Sequence, residues 1–185
     1  MKVSDTAFRR RPLAKTDAAP IAELIGDWQV VRWLSGPTYP YSKADAEAFL
    51  GKSLDGSSTH PERTEAIEVD GRLAGVVGID RRSQGFNIGY WLGRAYWGHG
   101  VMTRAAAALT RDFFANSNEN HLMSGYFSGN MASWTIQRKL GFEFVEDGLL
   151  MNRAHGKRLP HILTRLTRAR FETSISTPSM MVTGQ

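Results

Sequence analysis

Residues 88–102, read IGYWLGRAYWGHGVM, set a strand, a glycine bend and a helix start in immediate succession, and few folds admit that sequence of events. Ile88, Tyr90 and Leu92 alternate with Gly89 and Trp91 at the two-residue period of a strand. Gly98 and Gly100 then bracket His99. Glycines there open backbone angles closed to other residues and let another group approach the main chain. A helical pattern follows at once, with Val101, Ala105, Leu109 and Phe113 four residues apart on one face. The chain must leave a sheet and enter a helix that packs back onto it.

A helix that opens at a glycine bend leaves its first N–H groups without partners and carries a partial positive charge, which suits a phosphate. The spacing G-x-G by itself also occurs in tight turns that hold nothing. No G-x-x-x-x-G-K-[ST] is present, and the position three past Gly100 is Thr103, so the G-x-G-x-x-G pattern is absent too. Nucleoside-triphosphate and dinucleotide-dehydrogenase chemistries are therefore disfavoured.

With 185 residues, 42% hydrophobic and 22% charged, the chain suits one globular domain. We place that domain at residues 1–170 and a mobile, Ser/Thr/Met/Pro-rich tail at 171–185. Cysteine is absent, which excludes disulfides, zinc–thiolate sites and a cysteine nucleophile. The five histidines are scattered and suggest no metal site. No apolar run reaches the roughly 18 residues of a membrane span, and MKVSDTAFRRRPL is too charged for a secretory signal. The expected setting is cytoplasmic, with no membrane partner. The net charge of +5 favours anionic partners. Arg9, Arg10 and Arg11 cluster, as do Arg165, Arg168 and Arg170, but both groups sit at chain ends. That distribution reads against a nucleic-acid partner.

In order, residues 8–15 read as an edge strand, and a helix capped by Thr16 or Asp17 runs to Gly26 and continues through Trp28, Val31 and Leu34 to Gly36-Pro37. Ser42 begins a helix ending near Gly56. Residues 64–69 and 72–80 form a hairpin about Asp70-Gly71, and 86–92 add a third antiparallel strand. After the helix at 101–116 come a strand at 121–127 and a helix at 131–139 between Asn130 and Gly141. A strand at 141–148 ends in a turn, residues 149–153 form a further arm, and 161–167 is the last strand. The order β-α-α-β-β-β-α-β-α-β-β predicts an α+β domain, a mixed but mostly antiparallel sheet flanked by helices.

Four segments resemble the GNAT superfamily of acyl-CoA-dependent N-acetyltransferases, in the branch related to the enzymes that acetylate ribosomal-protein N-termini. They are RRPLAKTDAAPIAEL, DWQVVRWLSG, IGYWLGRAYWGHGVMTRA and GNMASWTIQRKLGFEFVEDG. The segments run from Arg10 to Gly148, within a resemblance taken to cover about Arg9 to Thr167. The resemblance implies that acetyl-CoA is the acyl donor. Main-chain groups of Gly98, His99, Gly100, Val101, Met102 and Thr103 would hold its pyrophosphate, with Arg94 near the phosphates. Those of Trp91 and Leu92 would pair with the pantetheine arm as an added strand would. Asn130 and Ser133 match the N-x-x-S of this branch, along the pantetheine and thiol. The sequence departs from the wider pattern at three places. Ala95 stands where Gln or Arg is common, Gln137 where many members place an acidic tyrosine, and Asn87 where a glutamate often precedes I-G-Y.

Such a reaction joins the acetyl group to a primary amine, a protein N-terminus or a small molecule, by direct attack on the thioester. Ser133 is the candidate catalytic residue, either steering a proton to the departing sulfur or only positioning it. Glu65, Glu68 and Asp80 are the strand carboxylates that could serve as base, with His99, His121 and His161 as histidine alternatives. Tyr90, Tyr126, Trp28, Trp33, Tyr39 and Tyr41 could line the acceptor site or pack as core. Because the tyrosine and glutamate are missing, a non-catalytic acyl-CoA-binding module is the alternative. The sequence leaves open a monomer or a homodimer.

Overall fold

The computed structural model describes residues 6–55 and 61–176. One seven-stranded sheet runs through it in the order β1-β2-β3-β4-β5-β7-β6. The strands are β1 (Arg9–Pro12), β2 (Arg63–Val69), β3 (Arg72–Arg82), β4 (Gly85–Leu92), β5 (His121–Phe127), β6 (Glu143–Asn152) and β7 (Lys157–Thr167). Every neighbouring pair is antiparallel except β4 and β5, which run parallel. The sheet is thus mixed and mostly antiparallel, as the element order predicts.

Helices cover both faces. On one side α1 (Ala18–Ile25), the single turn α2 (Trp28–Val31) and α3 (Lys43–Leu54) meet Ala66, Leu73 and Val76. On the other, α4 (Val101–Ala115), α5 (Met131–Leu140) and α6 (Arg168–Ser176) meet Ile67, Val77, Ile88, Leu122 and Leu166. The alternation Ala66/Ile67 and Val76/Val77 along β2 and β3 sends successive side chains into opposite cores. The stripe Val101, Ala105, Leu109, Phe113 lies against the sheet, each at most 1% exposed. Each large member contributes roughly 1.5–3 kcal/mol by leaving water.

The local signals match the elements they predict. Asp70 and Gly71 both have positive φ, as a two-residue hairpin turn needs. The Ser42 side chain caps α3, the Asn130 side chain caps α5, and Gly141 closes α5 at φ 93°. Three expectations need correction. The first helical stretch does not run through to Gly36: it stops at Gly26, and the Asp27 carboxylate accepts from Gln29 N–H to start the separate α2. No turn falls at Gly148, because Gly148 pairs with His161 inside the unbroken strand β6. Residues 171–176, assigned to a tail, are part of α6, which Phe171 anchors at 2% exposure. The rest of that tail, and the expected helix end at Gly56, lie outside the described residues.

The arginine cluster of β1 is spent inside the fold. Arg9 and Arg11 both pair with Glu68, at 2.6 and 2.8 Å, Arg11 also grips Asp17 at 2.7 Å, and Arg10 bridges Glu65 and Asp112. At the other end Arg168 donates to the carbonyls of Phe114, Ser117 and Glu119, and Arg170 pairs with Glu143. Arg165 is exposed; the other members of both clusters have partners within the fold.

The Arg11 guanidinium, helped by the Ala14 N–H, holds the Asp17 carboxyl below its ordinary range despite burial. A depressed carboxyl stabilises the fold fully above its unfolded pKa, about 3.9, and ceases to as pH falls through its lower folded value. Asp17→Asn should therefore lower Tm by several degrees at pH 7. The gap from the native chain should close as pH falls below about 4; a gap that stays constant to pH 2 would assign the loss to packing instead.

Candidate functional site

β4 and β5 stay together for one residue pair only, Asn87 opposite Met123. Beyond it they part, and a cleft of about 940 Å³ opens between them. Gly93 N–H bonds to Ala74 C=O across the β3–β4 ladder. By the two-residue alternation of an antiparallel pair, Gly89 and Trp91 then face β3, while Ile88, Tyr90 and Leu92 turn their main-chain groups toward β5. Two of those groups find side-chain partners: Ser124 Oγ donates to Ile88 C=O at 3.1 Å, and Trp97 Nε1 donates to Leu92 C=O at 2.7 Å. Of the pair expected to meet the pantetheine, Leu92 thus has its main chain on the opening. The main chain of Trp91 belongs to the ladder, and its side chain packs under α1.

At one end of the cleft lies the glycine bend. Gly98 and Gly100 have φ of 81° and 69°. Gly100 is the N-cap of α4, and no side chain caps this helix. The first-turn N–H groups thus have no capping side chain, and Val101, Met102 and Thr103 line the cleft. Such a helix start suits an anion. His99 is exposed and does not line the cleft; Arg94 is exposed and 3.9 Å from Asp27.

On the side covered by α4 and α5, a buried polar chain leads to Ser133. Thr164 Oγ1 donates to Gln137 Oε1 at 2.7 Å. Gln137 Nε2 lies within donating reach of Ser124 Oγ, Gly125 C=O and Ser133 Oγ, at 3.1, 3.1 and 3.3 Å, and shares its two hydrogens among them. Asn130 Oδ1 accepts from Ser133 N–H at 3.2 Å. The Tyr90 hydroxyl completes the group, 3.1 Å from Ser133 Oγ. Burial pushes the Tyr90 phenol up to about 12, so it holds its proton at neutral pH. The sequence considers Tyr90 for the acceptor side. It instead brings a phenol to Ser133 from β4, across from Gln137, where a tyrosine is missing. Alternation puts Tyr90 on the face of Ile88 and Leu92; that α5 covers this face is set by the fold.

The other side of the opening is the sheet face bearing Gly89, Gly125, His161 and Leu163, closed by Trp33 and Leu34 beyond α2. Tyr126, Glu146 and Asp147 line the cleft as well. The three strand carboxylates proposed as bases are elsewhere: Glu65 pairs with Arg10 and Arg63, Glu68 with Arg9 and Arg11, and Asp80 with Arg82. None of the three lines the cleft. His121 does not line it either, whereas His161 does. Of the aromatic residues near the first helices, Trp33 reaches the cleft. Trp28, Tyr39 and Tyr41 do not; Trp28 packs edge-on to Tyr39 and tilted against His155, with ring centroids 5.1 and 4.8 Å apart. Among the described residues, no cluster of metal-ligating side chains occurs and no helix is long and apolar enough to cross a membrane.

Comparison with known proteins agrees with this geometry. The family model described as "Acetyltransferase (GNAT) domain" matches residues 9–143. A Bacillus subtilis (strain 168) protein, YdaF, named as a candidate ribosomal N-acetyltransferase, is 26% identical over 157 residues, which are 78% of this chain and 84% of that protein. RimL, a ribosomal L7/L12 alpha-N-protein acetyltransferase solved with coenzyme A, superposes with TM-score 0.75 at 18% identity, over 89% of this chain and 96% of its own. The ribosomal-protein-S5-alanine acetyltransferase of Vibrio fischeri superposes with TM-score 0.73 at 18% identity, over 89% and 94%.

Gln137→Leu removes the hub of the buried chain and strands Thr164 Oγ1. The expected loss is about 1–3 kcal/mol of unfolding free energy, read as a lower urea midpoint at unchanged slope. A neutral result would mean that water replaces the amide.

Proposed function

The chain belongs to the acetyltransferase (GNAT) domain family, and from that premise we propose that it moves the acetyl group of acetyl-CoA to the N-terminal amine of a protein or peptide. The observation that carries the reading is the uncapped, glycine-opened start of α4 at one end of a cleft whose wall is the main chain of β4. N–H groups from Gly98 to Thr103 hold the donor's pyrophosphate, and Leu92 N–H pairs with its pantetheine arm. His99 contributes its main chain there, not its imidazole. Acetyl-CoA supplies an activated acyl group on sulfur; the protein supplies alignment and proton handling.

Amide formation needs the two substrates in line, a place for the oxyanion and a proton for sulfur. Main-chain N–H groups on the open side of β4 serve the oxyanion. Gln137 donates to Ser133 Oγ and so occupies it as an acceptor. Ser133 O–H is then left to donate, and the protonated Tyr90 phenol stands behind it to resupply the proton. Ser133 with Tyr90 is therefore the acid side of the reaction, which answers the missing tyrosine at Gln137.

A peptide acceptor is supported by the named activities of RimL and of the Vibrio fischeri enzyme. It is also supported by the shape of the far side, open to solvent past the exposed Leu149 on β6 and the Trp33 edge.

Thr103→Glu tests the donor seat cleanly. A carboxylate in the first turn of α4 favours the helix but repels pyrophosphate. Calorimetry should show acetyl-CoA affinity falling at least about tenfold, roughly 1.4 kcal/mol, with Tm not lowered. Unchanged affinity would place the donor away from α4. Ser133→Ala should lower kcat with little change in acetyl-CoA binding; a full rate would leave Ser133 a positioning group only.

A further inference from the structure

We infer that His161 takes the proton from the attacking amine, with Glu146 beside it as the seat for the incoming ammonium. This rests on the acetyltransferase reading above and assigns the base that its chemistry lacks.

The geometry begins at Gly125. His161 lies opposite Phe127 in the β5–β7 ladder and opposite Gly148 in the β7–β6 ladder, so its neighbours on both flanking strands are fixed. Its ring lies across Gly125: a methyl group there would stand 2.6 Å from His161 Nε2, closer than side chains approach. Phe127 packs edge-on against the ring, with centroids 5.4 Å apart at 75°. The imidazole is thus held in one attitude over the strand that borders the opening. Among the described residues no hydrogen bond occupies its nitrogens, although the ring lines the cleft. A lone pair confined in place but not engaged is what proton abstraction requires.

Charge supports the assignment. Charged and titratable residues that line the cleft include Arg82 from the end of β3, Tyr126 from β5, Lys139 from α5, and Glu146 and Asp147 from β6; Tyr126, opposite Ile162, turns to the α5 side by alternation. Glu146 shares a face with His161, two residues from Gly148, and makes no ion pair among the described residues. Asp147 points to the opposite face of β6 by alternation. Burial, helped by the charge of Arg82, lowers the His161 pKa below the ordinary 6.5, and Arg82 is itself tied to Asp80 at 2.9 Å. The imidazole is uncharged at neutral pH and ready to accept.

The protons balance as follows. The ammonium loses one proton to His161 Nε2, which passes it to solvent. The freed nitrogen lone pair forms the C–N bond, and the C–S bond breaks with its electron pair on sulfur. Sulfur receives its proton from the Ser133–Tyr90 side, and the second N–H proton, lost from the nitrogen as the amide forms, passes through water to reprotonate that side. The net products are amide, thiol and one proton.

The test is the pH dependence of kcat/KM for a short peptide with a free N-terminal alanine, in wild type, His161→Gln and Glu146→Gln. Acetyl-CoA affinity is read in parallel by calorimetry. In wild type the base works above its pKa, so the rate should hold down to below pH 6.5 and fall as pH drops through the lowered value. His161→Gln should lose kcat by roughly 10²–10⁴-fold and lose that acidic limb, with acetyl-CoA affinity unchanged. Glu146→Gln should act chiefly on the KM for the peptide. A His161→Gln enzyme with full rate and an intact acidic limb would overturn the inference while leaving acetyl transfer standing. A wild type that binds no acetyl-CoA would overturn both.

Discussion

The single bridge between β4 and β5 is the constraint on which the rest of this molecule depends. Two neighbouring strands that run parallel would ordinarily share a ladder along their length; here they share Asn87–Met123 and then diverge. Main-chain groups of β4 past that point must find other partners, because buried unpaired backbone is costly. Ser124 and Trp97 supply two. What is left is an extended edge in the middle of a sheet, opened from within rather than at its rim. An extended ligand can complete it by strand addition. The same divergence leads to the glycine bend, where the sheet hands over to α4 and the helix start adds positive charge to one end of the cleft.

The opening also separates two chemical environments. Toward α5, donors and acceptors are linked through Gln137, whose amide is oriented by Thr164 and whose Nε2 serves Ser124, Gly125 and Ser133. That side carries protons on hydroxyls. On the other face an imidazole and a carboxylate stand on the β6–β7 hairpin, outside the buried relay. Gly125 joins the two: its carbonyl accepts from Gln137, and its missing side chain makes room for His161. The glycine of HLMSGYF is therefore a packing requirement shared by both halves of the site.

What could be read from the sequence was local. The strand–bend–helix of residues 88–102, the Asp70-Gly71 hairpin, the caps at Ser42 and Asn130 and the close at Gly141 are written within a few residues each, and each forms. The family resemblance rests on segments of that kind. What could not be read depends on distance. The partners of Arg9, Arg10 and Arg11 come from β2, α4 and Asp17 just ahead of α1, so a basic run that looks like a free surface braces the fold. His161 matters because of Gly125, 36 residues earlier, and nothing in HILTRLT announces it. Tyr90 serves the relay because α5 packs on its face of β4, which alternation alone does not decide. Gly148 looks like a turn and is a strand residue because β7 pairs straight past it. Asp27 cuts a helix that apolar spacing would continue, since a capping carboxylate outweighs the pattern.

The account turns on the claim that a donor enters between the parted strands with its phosphates at α4. Amide chemical-shift mapping during titration with acetyl-CoA tests this directly. The largest shifts should fall on Leu92, on Gly98 through Thr103 and on Asn130 through Ser133, with α1 and α3 nearly silent. Shifts gathered instead around the groove of Lys15, Glu47 and Leu50 would contradict it.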